Sequence, residues 1–520
     1  MMTTFVHRHT VSVTGLRKIG VVLVAVVIVY ALLSNIYLLI LGLFGLSALI
    51  GALLLISIGL YRQLLIFLSL LLLFTFATKL GYGIINPTLL AILPTAFLGF
   101  MIFQLLLLAA EGKLRLKCIS LDFVVIVFFL LDLIQVLNPY LDIFRDQQFL
   151  VIGLRGFWQR SFMLLVYFLV RVLIRSGQRF HTVARILAYS IALNGLYALT
   201  QQLFGFEFFE SRYREYQIAD DLPSVALYAL RSTGFLGSPF TFGVVSAMGI
   251  WCSIYLLRSN ATSRRDLILI ITCVAINTVA LLLSSSRSSY LAMIISILAI
   301  AILYWKWWLA FVWQSRRVIT ILVVTLAVLF LLFYDSPPVQ FSIERVDTLT
   351  QLLSALSGKE VEDRNFAVRQ ELATATWPLI LENPLGYGSG IFTGGANPDA
   401  LVTVKGYGTW VDNEFSSLAL EMGILGVGLL LLMIGMALWR CKQAVHLKIF
   451  KEQAIALTAL VVICPSAGFG GQWLTAYPAN IIFWVFLGCI ANLPVINFTF
   501  EKQYGGNHHV VDLIPNDRAS

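Results

Sequence analysis

Long apolar stretches recur along the whole chain and restrict its fold more than any other feature. Examples are 20–37, 119–135, 318–334 and 481–497, each long enough for a helix to cross about 30 Å of hydrocarbon at about 1.5 Å per residue. Hydrophobic side chains make up 59% of the chain and charged ones 12%, which is more apolar surface than a soluble core of this length needs. Because an open strand edge cannot satisfy its backbone groups in lipid, the sequence predicts an all-α integral membrane protein.

The apolar stretches divide into about fourteen predicted transmembrane helices, with about twelve as the lower bound. The predicted spans are 20–37, 41–60, 63–79, 88–110, 119–137, 157–175, 183–203, 236–257, 267–283, 289–310, 318–334, 413–438, 453–470 and 476–496. The chain is then organised as membrane helices over 1–334, a large and partly helical extracytoplasmic loop over 335–412, membrane helices over 413–500 and a cytoplasmic tail over 501–520.

Lys and Arg are concentrated in alternate connections between the predicted spans. With the N-terminus in the cytoplasm, the basic connections that face inward are Arg62, 113–117, 175–185, 258–265, 316–317 and 440–451. This is the positive-inside pattern, so the net charge of +9 reflects membrane topology and predicts no nucleic-acid partner. Both termini are predicted to be cytoplasmic. The connections expected to face outward are 138–156, 204–235, the turn at Arg287, 335–412 and 471–475.

The sequence lacks the motifs that are typical of several classes of enzyme and transporter. No phosphate-binding loop and no dinucleotide-binding glycine motif is present, all six histidines fall on the predicted cytoplasmic side, and no Asp-x-Asp occurs. We therefore predict neither a cofactor nor a metal. Ion-coupled carriers need ionisable groups inside their spans, and the clearest internal acids here are Asp132 and Glu421. Either acid is equally explained as a buried group paired with a neighbouring helix. A small-solute transporter nevertheless stays open as an alternative function.

Three outward-facing segments combine glycine, serine or asparagine with charge. The first is 283–289, where Arg287 occupies a very short turn and either binds an anion or snorkels to the interface. The second runs from Arg369 to Gly390 and is predicted to form a helix over 370–381 that stops before Asn383-Pro384. Arg369 is either a ligand-binding residue or a solvated loop charge. The third begins at Asp412, which is a candidate general base or an N-cap.

Further candidates lie close to these segments. Arg231 and Arg155 are candidate rim charges for an anionic lipid or sugar, Lys405 and Glu414 lie near Asp412 and are candidates for contact with an acceptor, and the Tyr387 ring offers an apolar face for a sugar.

These motifs together resemble the O-antigen ligase and polymerase superfamily of membrane glycosyltransferases. The Ser-Arg turn, the Arg before Asn-Pro-Leu-Gly-Tyr-Gly, and Asn413 with Gly423 and Gly426 follow its order. In the ligases the last motif is His-Asn, nine residues, Gly, two residues, Gly. The spacing after Asn413 is the same here, but Asp412 stands where the ligase histidine would be. This difference favours the polymerase branch.

The resemblance implies a fold of the GT-C type and a substrate glycan carried on a polyprenyl diphosphate. It also implies metal-independent catalysis at the outer face of a bacterial cytoplasmic membrane, with membrane lipid around the site. Arg287 and Arg369 would bind the diphosphate, and Asn413 would bind substrate by its place in the motif. The implied function is polymerisation of lipid-linked repeat units, for which a chain-length regulator protein is a conceivable partner. Transfer of the glycan to lipid A core or protein, as in the ligases, is the alternative.

Overall fold

The computed structural model describes eleven continuous parts of the chain and four single residues between them. They are 58–80, 87–113, 118–138, 147–204, 232–259, 263–314, 364–393, 396–397, 401–406, 411–446 and 450–493, with 316, 320, 324 and 340. The chain divides into the units Met1–Leu64 and Leu65–Ser520, and nearly all described residues belong to the second. The predicted span 20–37, all of 318–334 except residues 320 and 324, most of 41–60, and the tail 501–520 lie outside the described residues.

The described residues form helices joined by short non-helical connections, and they contain no strand. The helices are α1 (Leu60–Leu80), α2 (Pro87–Ala110), α3 (Ser120–Val136), α4 (Gln147–Arg160), α5 (Leu165–Leu173), α6 (Gly177–Phe204), α7 (Pro239–Arg258), α8 (Arg264–Leu283), α9 (Arg287–Leu303), α10 (Trp305–Gln314), α11 (Arg364–Glu382), α12 (Glu414–His446), α13 (Lys451–Ala467) and α14 (Ala479–Ala491). The prediction of an all-helical protein is confirmed for these residues.

Seven of these helical segments are long and apolar enough to cross a membrane. They are Leu93–Ala110, Gln148–Leu173, Gly177–Gln202, Pro239–Arg258, Arg264–Leu283, Glu414–His446 and Lys451–Gly470. The number rises to eight if the bent pair α9 and α10 is one span. Each segment overlaps a predicted span, so the multi-pass architecture is confirmed, although Gln148–Leu173 begins within the connection 138–156, which the sequence predicts to be a loop. The total of fourteen and the GT-C type stay predictions.

Two elements differ from their predicted form. The predicted span 289–310 breaks at Tyr304, where α9 and α10 meet at 110°, and the Tyr304 hydroxyl is hydrogen-bonded to Thr458 of α13. The predicted helix 370–381 begins earlier, at Arg364, because no glycine or proline interrupts 364–369. It ends at Glu382, just before Asn383-Pro384, as predicted.

The helices pack so that α7, α13 and α14 occupy the interior of the bundle. Of the span formed by α7, 83% is buried against other parts of the protein, compared with 33% for α8. α7 contacts α6, α8, α9 and α13, and α13 also contacts α12 and α14. The helices with a large exposed apolar fraction are therefore the ones that would face lipid.

The two ends of the bundle differ in chemistry. At one end, Arg171 binds Asp122 and Asn492, and Arg440 donates to the backbone carbonyls that end α14. We call this the basic end. The other end holds the glycine-rich and serine-rich connections, and we call it the loop end.

Candidate functional site

The centre of the loop end is a buried ion group formed by Arg160, Asp132 and Glu421. Arg160, the last residue of α4, is 1% exposed, and both acids are 0% exposed. Its guanidinium lies 3.1 Å from the Asp132 carboxylate and is paired with the Glu421 carboxylate. Ser161 donates a 2.5 Å hydrogen bond to the second Asp132 oxygen. Because breaking a buried pair leaves an uncompensated charge, this group ties α3, α4 and α12 together.

Glu421 also fixes a loop over residues 383–393, which we call the glycine loop. One Glu421 oxygen accepts hydrogen bonds from the Phe392 amide at 2.8 Å and the Thr393 hydroxyl at 3.0 Å. The other oxygen is the one paired with Arg160. The carboxylate therefore connects the ion group to the loop that follows α11.

The glycine loop docks on a break in α12 at Gly423. This residue has φ 73° and ψ −179°, a conformation that is essentially restricted to glycine. The break leaves backbone groups of α12 without helical partners, and the loop satisfies them. Tyr387 N donates to Leu420 O at 2.7 Å, and Ile424 N donates to Pro384 O at 2.9 Å. A Cβ at Gly423 would lie 2.3 Å from the Pro384 oxygen, so only glycine permits this approach.

The other side of the glycine loop is held by α3 and α4. The Gln135 side chain donates to Leu385 O at 2.8 Å, and the Ser389 amide donates to Gln135 O at 3.2 Å. Gly156 of α4 packs directly on Gly390, because a Cβ at Gly156 would lie 2.4 Å from the Gly390 Cα. The loop is thus built into the bundle along its length.

The start of α12 carries three polar residues with different roles. The Asn413 side-chain oxygen accepts from the amides of Phe415 and Ser416 at 2.9 and 3.1 Å, which is N-cap geometry. Asp412, the preceding residue, is half-buried. Glu414 is buried and accepts from the Leu474 amide at 2.7 Å. The helix cap is therefore supplied by Asn413.

Gln472, between α13 and α14, forms hydrogen bonds with several segments of the loop end. The Gln472 side-chain nitrogen lies within hydrogen-bond distance of three oxygens, at 2.9 Å from Phe392 O, 3.0 Å from Val411 O and 3.0 Å from Ser417 Oγ. The glycine loop, the approach to Asp412 and α12 therefore meet at this side chain. Its neighbour Trp473 is fully buried.

Arg287 begins α9 after a turn made of serines. Ser285 has φ 45°, and Ser284, Ser285 and Ser286 are buried, while Arg287 itself is half-buried. Ser289 donates to Ser286 at 2.9 Å and lies 3.3 Å from the Phe240 carbonyl. The serines hold the turn, and with it the backbone of Arg287, against the start of α7.

A continuous series of contacts links Arg287 to Asp412. The Arg287 turn packs on α7 at Phe240, and the Phe240 ring lies against Gly471, where a Cβ would be 2.6 Å from the ring. Residues Gly468–Gly470 contact both α9 and α12, and a Cβ at Gly468 would lie 3.2 Å from the Glu414 Cβ. The two candidate residues therefore lie at the same end of the bundle, on either side of the connection after α13.

The remaining predicted site residues have varied positions. Arg155 is exposed on α4, and Lys405 forms an exposed ion pair with Glu382. Tyr387 is 2% exposed and donates to Leu379 O, so its ring belongs to the core. Arg369 lies in α11, and its side chain is outside the described part. Arg231 is also outside the described residues.

Two residues at the centre of this arrangement were not among the sequence candidates. Arg160 follows the Gly153-Leu-Arg-Gly156 segment that contains Arg155, and its signal in the sequence was an arginine near the start of a predicted span. Gln472 lies in the connection 471–475, which the sequence predicts only to be an outward-facing turn. In the described part of the chain, no three or more His, Cys, Asp or Glu residues form a group able to hold a metal ion.

The described helices define a multi-pass membrane protein, and the loop end of their bundle is its candidate site. Residues 271–432, from within α8 to within α12, match the family model described as O-Antigen ligase. This match supports the O-antigen ligase/polymerase superfamily, in agreement with the motif resemblance. A comparison with curated proteins finds no match to this chain.

Proposed function

We propose that this protein is a membrane glycosyltransferase that polymerises polyprenyl-diphosphate-linked repeat units of a surface polysaccharide. The observation that carries the proposal is that the segments within the family match lie at the same end of the helix bundle. The family match spans the Arg287 turn, the glycine loop and the start of α12. The glycine loop docks on α12, and the Arg287 turn lies at the same end of the bundle, linked to α12 through Phe240 and residues 468–471. The match itself supports a function of the O-antigen ligase or polymerase type.

The reaction that fits these residues is a single inverting displacement. An acceptor sugar hydroxyl attacks the anomeric carbon of the lipid-linked glycan, a new glycosidic bond forms, and the bond to the diphosphate breaks. The polyprenyl diphosphate leaves with the electron pair, and its growing negative charge would be stabilised by Arg287 and Arg369. Asp412 would accept the proton of the attacking hydroxyl. Fixed arginines supply the positive charge, so no metal is needed.

Asp412 supports polymerisation over ligation. The ligase motif has a histidine before Asn413, and the N-cap function of this segment is performed by the Asn413 side chain. Asp412 lies at a half-buried position directly before this cap. We place the loop end at the outer face of a bacterial cytoplasmic membrane because the basic end follows the positive-inside pattern.

The ion group weakens the transporter alternative. A carrier would use Asp132 and Glu421 as intermediate stations for protons or cations. Both acids are instead bound to Arg160, and Glu421 also holds two groups of the glycine loop. Releasing either acid would leave a buried charge without its partner.

The test is the length and the carrier of surface polysaccharide in cells that lack this protein. The strain is complemented with wild type, Arg287→Ala, Arg369→Ala or Asp412→Ala. We expect single repeat units in the null strain and in all three variants, and long chains with wild type. Arg264→Ala is the matched control, because Arg264 is an exposed arginine at the start of α8, and it should restore long chains.

The other outcomes have distinct meanings. Long chains that remain on the lipid carrier would assign the protein to the ligases. Unchanged polysaccharide in the null strain would overturn the enzyme proposal and return attention to transport. Immunoblots of membrane fractions establish that each variant is present at the wild-type level.

A further inference from the structure

Helix α10, at the basic end, does not continue the direction of the span before it. α9 and α10 meet at 110°. Beyond Gln314, residues 316, 320 and 324 are also helical. Because α9 is a predicted membrane span, a helix at this angle runs close to the plane of the membrane.

The orientation of α10 is fixed by packing on α7 and α13. Trp307 donates a 2.8 Å hydrogen bond to Glu452, and Arg258 donates to the Gln314 side chain at 2.5 Å. The rings of Trp307 and Phe311 stack at 5.2 Å and are both buried. One face of α10 is therefore occupied by the protein.

A second face of α10 is apolar and exposed. Trp305 is 56% exposed, Leu309 55%, Val312 37% and Trp313 73%. The separations of four, three and one residues place these side chains on a single helical face. Tryptophan is enriched where a protein meets the boundary between headgroups and acyl chains, so this face fits the interfacial region of a bilayer.

A third, polar edge separates the two apolar faces. Lys306, Ala310 and Gln314 are exposed and share this edge by their spacing of four residues. The Lys306 ammonium lies 5.9 Å from the Trp305 ring centre, and the Arg316 guanidinium lies 5.1 Å from that of Trp313. Two cations therefore border the exposed apolar face.

We infer that α10 lies in the interface of the membrane at the basic end and binds the headgroups of anionic phospholipids. Its exposed apolar face would enter the leaflet by about 5–10 Å, and Lys306 and Arg316 would contact lipid phosphates. The charge complementarity and the tryptophans at its two ends single out an anionic lipid surface as the partner. This inference does not depend on the proposed enzymatic reaction.

Adjacent single cysteines on α10 test its depth. Five of the six native cysteines are buried, and Cys118 is exposed, so Cys118→Ser leaves a background for labelling. Leu309→Cys and Ala310→Cys are each modified with a nitroxide in the full-length protein, reconstituted in vesicles of phosphatidylcholine and phosphatidylglycerol. We expect the Leu309 site to be accessible to oxygen, which partitions into lipid, and the Ala310 site to a water-soluble nickel complex.

Two results at these positions would overturn the inference. Equal access of the nickel complex to both sites would mean that α10 lies in water. Equal protection of both sites would mean a re-entrant segment within the bilayer.

Brominated lipids test the preference for anionic headgroups. A bimane fluorophore at Leu309→Cys is quenched by brominated phosphatidylglycerol or brominated phosphatidylcholine, and the two quenching curves give the local selectivity. We expect a several-fold preference for phosphatidylglycerol, reduced about fivefold by Lys306→Gln.

The matched control site is Leu298, exposed on the preceding span α9. A label at Leu298→Cys should show the same selectivity with and without Lys306. Equal quenching by the two lipids at Leu309, or no effect of Lys306→Gln there, would refute the anionic-lipid site.

Discussion

At the scale of single residues, the loop end combines one fully buried ion group with one exposed ion pair. Arg160, Asp132 and Glu421 are removed from solvent, whereas Lys405 and Glu382 have side-chain exposures of 53% and 51%. Exposed pairs contribute little because water screens them, while removal of one member of a buried pair leaves a desolvated charge. The effect of removing a buried acid can therefore be compared with that of removing an exposed acid in the same protein.

Glu421→Ala should destabilise the protein much more than Glu382→Ala. The expected costs are about 3–5 kcal/mol for the buried acid and at most about 1 kcal/mol for the exposed one. Thermal unfolding of the purified protein in one detergent measures both as changes in Tm. Equal Tm values for the two variants would mean that the buried group does not hold the glycine loop.

We expect Asp412 to act in the proposed reaction and Asn413 to stabilise the start of α12. Asn413→Ala removes the acceptor for two amides of α12 and should cost about 1 kcal/mol, seen as a lower Tm. Asp412→Asn should lower Tm less and should abolish long polysaccharide chains under the proposed reaction. Tm and polysaccharide length are measured for both variants. Full activity of Asp412→Asn would show that Asp412 is not the base.

At the scale of elements, the glycine loop and the break in α12 form one unit. The break exposes Leu420 O, Glu421 O and the Ile424 amide, and the loop supplies a partner for each of them. Unsatisfied backbone groups are costly in an apolar interior, so the break and the loop depend on each other. The spacing of Gly423 from Asn413 in the motif therefore places this docking point about two and a half turns into α12.

Gly423→Ala should disrupt this unit, while Gly428→Ala should not. The first substitution puts a Cβ 2.3 Å from Pro384 O at a φ of +73°, and the second meets open space on the same helix. We expect a lower Tm and loss of long polysaccharide chains for Gly423→Ala. For Gly428→Ala we expect full activity and a Tm that is unchanged or raised, because alanine stabilises a helix by roughly 0.5–1 kcal/mol over glycine. The prediction fails if the two variants behave alike.

At the scale of the whole molecule, α9 connects the two ends of the bundle. Arg287 begins α9 at the loop end, and α10 follows α9 at the basic end. The seventeen residues of α9 correspond to about 26 Å, which is close to the thickness of the hydrocarbon layer. An interfacial position of α10 would therefore fix the depth of Arg287 at the opposite surface.

Membrane orientation can be tested with one residue from each end. Lys405 and Lys442 are both exposed lysines; the first follows α11 at the loop end and the second lies in the last part of α12 at the basic end. In a Cys118→Ser background, a membrane-impermeant maleimide should label Lys405→Cys in intact spheroplasts and Lys442→Cys only after permeabilisation. The reverse labelling would place the loop end in the cytoplasm and remove the proposed access to an outward-facing lipid-linked glycan.

The sequence by itself determined the membrane class, the helical content and the approximate position of most described spans. These properties follow from local hydrophobicity and charge, which are read directly along the chain. The order and spacing of the motifs also indicated the superfamily that the comparison confirmed. The total number of spans and the roles of Arg287, Arg369 and Asp412 stay predictions.

Only the tertiary structure decided which polar groups meet. Arg160 is 28 residues from Asp132 and 261 residues from Glu421, so no local pattern could pair them. The glycine loop, Gln472 and the turn of α10 are likewise set by contacts between helices that are distant in sequence. The physical reason is that a buried charge or backbone group must find a partner wherever packing brings one, and packing is a property of the whole bundle.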